Sequence, residues 1–175
     1  MDHELHLLTN KPQIYAANVD EDSLIEDNPY VKIVLQVASE HKVEVVKICA
    51  KLEQELIDMP ESERREYLQL AGAEETGLEQ IIRKGYALLG LISFFTMNEE
   101  EVRAWTVPQG TTAPKAAGVI HTDFERGFIG ADVISYIDLM RVKSLKKARE
   151  LGLIRLEGKN YSMKDGDVVE FRFNV

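Results

Sequence analysis

The 175 residues carry a formal charge of −9 and 45% apolar side chains, the balance of a soluble chain with room for one ordinary domain or two small ones. No run of about 20 apolar residues is present, so no membrane-spanning helix is expected, and the acidic opening Met1-Asp-His-Glu lacks the apolar core of a secretory leader. A single cysteine, Cys49, excludes an internal disulfide and fits a reducing, cytoplasmic compartment.

In chain order, Gln13–Ala17 predicts a short buried strand, and the acidic stretch Asn18–Asn28 predicts a loop. Pro29 opens a helix with Asn28 as N-cap, and Val31, Val34, Leu35 and Ala38 make one apolar stripe. Val43–Ile48 predicts the next strand, followed by Leu52, Leu56 and Met59 at helical spacing. Strand–helix–strand–helix is the wiring of a parallel sheet. Glu61–Leu70 predicts an exposed amphipathic helix. Thr76-Gly-Leu-Glu79 reads as a capping box; Leu78, Ile81, Ile82, Tyr86 and Leu89 form a stripe behind it, and Gly90 ends that helix.

Beyond Leu91 the pattern changes. Leu91–Thr96 and Val102–Val107 predict a hairpin around the acidic turn Asn98–Glu101. Thr111-Thr-Ala-Pro114 opens a short helix through Ile120, Asp132–Ile137 predicts a strand, and Ser144–Leu151 a basic helix ending near Gly152. Asp165-Gly166 predicts a turn into a last strand, Val168–Asn174. Strands around one main helix predict a small α+β roll over 91–175, with the boundary near Gly90.

Charge divides at the same place. Residues 1–89 hold 9 Lys/Arg against 18 Asp/Glu, and residues 90–175 hold 12 of each. Arg141–Lys164 holds eight basic residues against Glu150 and Glu157. The acidic half should repel a phosphate backbone and the basic run could attract one, although a charge run is also what a solvated helix face looks like.

Several blocks in fixed order carry a resemblance: Asn18–Glu21 (NVDE), Cys49–Glu53 (CAKLE), Gly85–Thr96, Glu101–Gly110 (EVRAWTVPQG), Thr111–Ile129 and Glu157–Val175. Together they resemble the C-terminal part of the YchF/Obg-like (EngD-type) P-loop ATPases, over about Leu8 to Val175. The resemblance implies that residues 1–90 are the C-terminal portion of a nucleotide-binding, G-type domain with a partial parallel sheet. Residues 91–175 would then be a TGS domain with a β-grasp, ubiquitin-like fold. It also implies ATP or GTP binding with Mg2+, slow hydrolysis in the full-length family, and association with ribosomes or RNA.

The chemical expectations are specific. Asn18-Val19-Asp20-Glu21 stands where the family carries its Asn-x-x-Glu base-reading motif. Asn18, whose amide both donates and accepts, would fix the loop and meet the purine edge; the Val19 backbone would approach the base, and Glu21 takes the acidic position. Cys49, Ala50 and Lys51 stand in the second base-side loop. Cys49 itself reads as a packed thiol, not a nucleophile. Asn10-Lys11-Pro12 precedes its strand and is a decoy.

No G-x-x-x-x-G-K-[ST] run, the cradle that phosphate chemistry needs, occurs in these residues. Gly152–Asn160 has the wrong spacing and a strand-like interior. None of His3, His6, His41 and His121 matches the family's hydrolytic histidine. These residues are therefore expected to bind no nucleotide tightly and to hydrolyse none on their own.

His121-Thr-Asp123 lacks further metal ligands or an activated serine, and the resemblance places His121, Asp123, Arg126 and Phe128 in a surface segment. Trp105 could stack a nucleobase or simply pack. Lys115, His121, Arg126, Lys143, Lys146 and Lys147 are the other candidate RNA or ribosome contacts, with Lys159 and Arg172 as further phosphate candidates.

The reading is a C-terminal fragment, or shortened relative, of a ribosome-associated YchF/Obg-like protein that keeps its purine-recognition loop and TGS domain. The alternatives are a stand-alone TGS-type ribosome-binding module, or the non-functional remnant of a split frame. A partial parallel sheet would also leave an unpaired strand edge through which copies could associate.

Overall fold

The computed structural model describes residues 7–73, 75–98 and 101–174. The opening tetrapeptide, His3, His6, the middle of the acidic turn at 98–101 and Val175 lie outside them. The chain divides into two compact units, Met1–Leu89 and Gly90–Val175.

Unit 1 is built on two strands, β1 (Ile14–Asn18) and β2 (Glu44–Ile48), paired in parallel from Ile14↔Glu44 to Asn18↔Ile48. Among the described residues each pairs only with the other, so β1 is half-buried along its length, where the sequence predicts a buried strand. The crossover carries α1 (Asp22–Ile25) and α2 (Pro29–His41). The predicted cap is present: Asn28 Oδ1 accepts from the Val31 N–H at 2.9 Å. Pro29, which has no N–H to waste, occupies the first turn. Val31 and Ala38 turn the α2 stripe onto the sheet around Val46.

After β2 come α3 (Ala50–Leu56), α4 (Glu61–Leu70) and α5 (Gly77–Leu88). Leu68 on α4 is buried with Cys49, Leu52 and Leu56, so the helix expected to be exposed docks through one residue face. Met59 lies past the end of α3 and packs on the same cluster. The capping box on α5 is complete: the Glu79 N–H donates to Thr76 Oγ1, and the Thr76 N–H donates to the Glu79 carboxylate. Leu78, Ile82, Tyr86 and Leu89 on that helix are exposed. Gly90, at φ +62°, breaks it, a conformation that costs a residue with a Cβ.

Unit 2 is a five-stranded mixed sheet, β4-β3-β7-β5-β6, formed by β3 (Leu91–Met97), β4 (Val102–Pro108), β5 (Phe128–Ser135), β6 (Arg155–Glu157) and β7 (Asp167–Phe173). β3 and β4 form the predicted antiparallel hairpin, Phe94 opposite Trp105, and β3 runs parallel to β7. One face packs on α6 (Ala113–Ile120) through Phe94, Val107, Ala116, Ala117 and Val133, all at most 1% exposed. The other face carries Ile134, Val168 and Phe95 against α8 (Tyr136–Val142) and α9 (Leu145–Glu150).

Three expectations for unit 2 need correction. Among the described residues its helices are four short ones, α6 to α9, with α7 spanning Thr122–Arg126, where one main helix was expected. The strand expected over Asp132–Ile137 begins at Phe128 and stops at Ser135, whose hydroxyl accepts from the Asp138 N–H and starts α8. Ile137 is consequently a helical residue, 79% exposed. Phe128, placed by resemblance on a surface segment, is 5% exposed and packs edge-on against Phe171. Its strand is drawn in at Gly127, where a Cβ would lie 1.9 Å from the Asn174 carbonyl oxygen.

A buried carboxylate organises the β6–β7 loop. Asp167 accepts from the Tyr161 hydroxyl at 2.8 Å and from the Lys164 N–H at 2.9 Å. Desolvation, then the hydrogen bond to Asp167, pushes the Tyr161 hydroxyl up to about 12. The folded value lies above the unfolded one near 10, so the protonated phenol's contribution to stability is complete below about pH 10 and disappears as pH rises through 12. In urea titrations from pH 8 to 12, wild type should lose midpoint relative to Tyr161→Phe only above about pH 10; parallel curves would refute the assignment.

Candidate functional site

The parallel pairing of β1 and β2 brings the loops that follow them to the same carboxyl edge of the sheet, the place where open α/β sheets bind ligands. The two loops are hydrogen-bonded to each other. The Val19 N–H donates to the Ile48 carbonyl at 2.7 Å. Asn18 Oδ1 accepts from the Ala50 N–H at 3.1 Å. One oxygen of the Asn18 amide thus closes the loop pair, while its NH2 retains its donor capacity.

Asp20 is engaged by the start of α1. Its carboxylate accepts from the Ser23 N–H at 2.9 Å, and hydrogen bonding by Ser23 holds its pKa below the usual carboxylate value. Glu21, at the start of α1, lies 3.5 Å from Lys51. Lys51 also faces Glu55 at 3.8 Å, and the charge of Glu21, then that of Glu55, raises its pKa. Cys49 is buried among Leu52, Leu56 and Leu68 and makes no side-chain cap on α3.

The structure therefore brings Asn18, Val19, Glu21, Cys49, Ala50 and Lys51 to one edge. What sequence reasoning missed is Lys47, which leaves β2 and donates to the Ser23 carbonyl, the Leu24 carbonyl and Asp27 Oδ1 at 3.1, 2.8 and 2.9 Å. A lysine near the end of a strand followed by an acidic loop was the available signal.

A cleft of about 860 Å³ between α4 and α5 is lined by Arg64, Arg65, Leu68, Glu75, Glu79 and Arg83 among others. No wall of it comes from the two loops, and its arginines are engaged: Arg64 on the Leu56 and Met59 carbonyls, Arg65 on Glu61, Arg83 on Glu75.

In unit 2 the candidate contacts fall into separate groups. Trp105 is half-buried on β4; its indole N–H donates to Thr96 Oγ1 at 2.9 Å, and the Arg103 guanidinium lies 5.2 Å from the ring centroid. A base stacking there would have to displace Arg103. Lys115 is paired with Glu125, and the His121 ring caps α7 by accepting from the Asp123 N–H at 3.2 Å. Arg126 is exposed at the end of α7. Lys143 ends α8 at φ 56°, and Lys146 and Lys147 lie exposed on α9 directly after it. Lys143, Lys146 and Lys147 enter no ion pair among the described residues, whereas Arg141, Arg149 and Arg172 pair with Asp138, Glu170 and Asp132. Lys159 and Lys164 lie on the exposed β6–β7 loop.

With this geometry in hand, residues 91–174 match the family model described as YchF-GTPase_C, protein of unknown function (DUF933). The chain is 52% identical over 170 residues to the ribosome-binding ATPase YchF of Haemophilus ducreyi, covering 97% of this chain and 47% of that protein. It is 47% identical over 174 residues to the protein of the same name from Bacillus subtilis, covering 98% and 48%. Among solved structures, the Schizosaccharomyces pombe YchF GTPase superposes with a TM-score of 0.81 at 35% identity, over 98% of this chain and 46% of that one. The chain spans about half the length of the curated relatives it matches.

The Asn18 contact is open to a direct test. Asn18→Ala should move the Ala50 amide resonance and speed its hydrogen exchange, costing about 0.5–1.5 kcal/mol of unit 1 stability. Asn18→Asp keeps the acceptor and should restore slow exchange at Ala50. An Ala50 amide indifferent to both changes would show that the loops are not tied through Asn18.

Proposed function

The chain belongs to the YchF family, and we propose that its 175 residues supply the base-recognition side of a purine-nucleotide site together with a TGS-type, β-grasp docking domain for the ribosome. The observation that carries this reading is the Asn18–Ala50 hydrogen bond, which joins the two loops into one recognition edge. In this reading the Asn18 NH2 and the Val19 backbone meet the purine, Glu21 accepts from an exocyclic amine, and Cys49–Lys51 form the opposite wall. The orientation of Asp20 supports adenine over guanine: a carboxylate serving the guanine N1–H and N2 amine would have to leave Ser23.

The residues present fit the base and not the rest of the nucleotide. Residues 1–175 contain no G-x-x-x-x-G-K-[ST] run, and among the described residues no three His, Cys, Asp or Glu side chains converge as metal ligands. No hydrolytic step is assigned to these side chains, and ATP or GTP with Mg2+ is assigned to the family's longer proteins.

For unit 2, the sheet order with β3 and β7 parallel at its centre supports the β-grasp reading. The relatives' name, ribosome-binding ATPase, and the three exposed lysines at the α8–α9 junction, which enter no ion pair among the described residues, support a ribosomal, cytoplasmic role through phosphate contacts. Those lysines equally support a second reading, a ribosome- or RNA-docking module that has no nucleotide role.

Two measurements separate the readings. Adenosine added to the 15N-labelled chain should shift the Val19 and Ala50 amides with millimolar affinity, about the range left when a ligand's charged tail goes unheld, and guanosine should shift them less. ATP hydrolysis above buffer, abolished by Asn18→Ala, would overturn the assignment of chemistry outside these residues. Ribosomal RNA should bind with a steep salt dependence that Lys143→Ala, Lys146→Ala and Lys147→Ala together flatten by about two to three counterions. RNA binding without any adenosine response selects the second reading.

A further inference from the structure

The loop between β1 and α2 has an unusual problem. It holds Asp20, Glu21, Asp22, Glu26 and Asp27 within eight residues, yet it is folded around a helix of only four residues. So short a helix cannot satisfy its own terminal carbonyls and is not stable by itself. Leu24 packs it on the cluster of Cys49, Leu52, Leu56 and Leu68, and three polar side chains hold its ends. Asp20 takes the Ser23 N–H at its start. Asn28, while capping α2, donates its NH2 to the Ser23 hydroxyl at 2.9 Å. Lys47 takes the two carbonyls at its end, Ser23 and Leu24, and neutralises Asp27 in the same grip.

The Lys47 contact differs in kind from the other lysine that reaches this loop. Lys47 is 26% exposed, its partner Asp27 33%, and all three acceptors lie within 3.1 Å. Lys51 is 77% exposed and stands 3.5 Å from Glu21. A solvated pair of that geometry contributes little, whereas a half-buried ammonium with three oxygens makes charge-assisted hydrogen bonds to carbonyls that would otherwise be orphaned. A cation at a helix C-terminus is also favoured by the peptide dipoles.

We propose that Lys47 is the positioning residue of the base-recognition loop: by closing the end of α1 it holds Asn18–Glu21 in the shape that accepts a purine, without touching the purine itself. The proposal rests on the base-site reading for its functional half and on the three hydrogen bonds for its structural half. Its physical content is preorganisation. A ligand that must first order the loop loses that much affinity, and a loop ordered in advance by Lys47 does not impose the cost. Lys47 lies on the strand that Cys49 directly follows, so the clamp on the first loop and the wall of the second are fixed by one backbone segment.

The test uses the full chain, labelled with 15N, with adenosine as the probe. Lys47→Met keeps the stem and removes the ammonium; Lys47→Arg restores a cation that can reach the same carbonyls; Asp27→Asn removes one acceptor of the three; Lys32→Ala, at an exposed position of α2, is the control. Lys47→Met should weaken adenosine binding about tenfold or more and speed amide exchange across 23–28 by a similar factor, the size expected for lost charge-assisted hydrogen bonds. Lys47→Arg should recover most of both, Asp27→Asn should fall between, and Lys32→Ala should match wild type. Resonances of 90–174 should not move. If Lys47→Met leaves both quantities at wild-type values, the proposal is overturned. If wild type shows no adenosine response, the base-site reading falls and the exchange arm alone decides whether Lys47 holds α1. Should Lys47→Met unfold unit 1 outright, the graded Lys47→Arg and Asp27→Asn variants carry the comparison, and a wild-type response in Asp27→Asn with none recovered in Lys47→Arg would also overturn it.

Discussion

In-register parallel pairing of Ile14–Asn18 with Glu44–Ile48 is the constraint from which unit 1 follows. Parallel strands send their following loops out of the same edge, so residues about 30 apart in the chain, Asn18 and Ala50, come within hydrogen-bond distance. A slip of one residue would turn Asn18 to the other face of the sheet and break the contact. The register itself is held by what packs on it: Val46, buried under α2 through Val31 and Ala38, cannot be moved to the solvent face without exposing apolar surface. Site geometry and core packing are therefore one requirement seen from two sides.

The edge so formed is acidic, which decides how the loop can be held. Apolar packing of a segment with five carboxylates in eight residues reaches the core through Leu24, against Cys49, Leu52, Leu56 and Leu68, and mutual repulsion opposes its compaction. Hydrogen bonds from backbone amides and one half-buried lysine add to that packing as the ordering force. Asp20 and Asp27 have structural partners, while Glu21, the acidic group of the proposed base site, has only a loose contact to Lys51. A group meant to meet a ligand is more useful when its desolvation is not already committed elsewhere.

Legibility tracked the range of the forces. The Asn28 cap, the Thr76–Glu79 capping box, the Gly90 stop and the β3–β4 hairpin were readable because each is decided within a few residues. α1 was not, since four residues carry no periodicity and its stabilising lysine lies 24 positions away. α8 was hidden for a related reason: Ile134 and Ile137 read as one β-rich run, and only the Ser135 cap separates them. Phe128 and its strand were missed because Gly127's tight approach to Asn174 comes from the far end of the chain. At the proposed site, the motif residues were named by resemblance, and the structure shows them on one sheet edge; Lys47 belongs to no motif and became visible only through its acceptors.

Unit 2 shows the complementary use of charge. Most of its arginines are consumed internally: Arg172 bonds Asp132 across the sheet, Arg155 reaches Glu157, and Arg141 closes on Asp138 within α8. Arginine's planar fork suits such fixed pairing, whereas a lysine is a mobile, strongly hydrated point charge. Among the described residues, the cations left without carboxylate partners at the α8–α9 junction are lysines, and their binding to a phosphate surface would cost no ion pair among those residues. Contacts of this kind position a domain without reading sequence, so discrimination among phosphate-bearing surfaces would have to come from shape around them. The exposed Tyr136, Ile137 and Met140 of α8 stand beside those lysines in the chain and give that shape an apolar component that phosphate alone does not use.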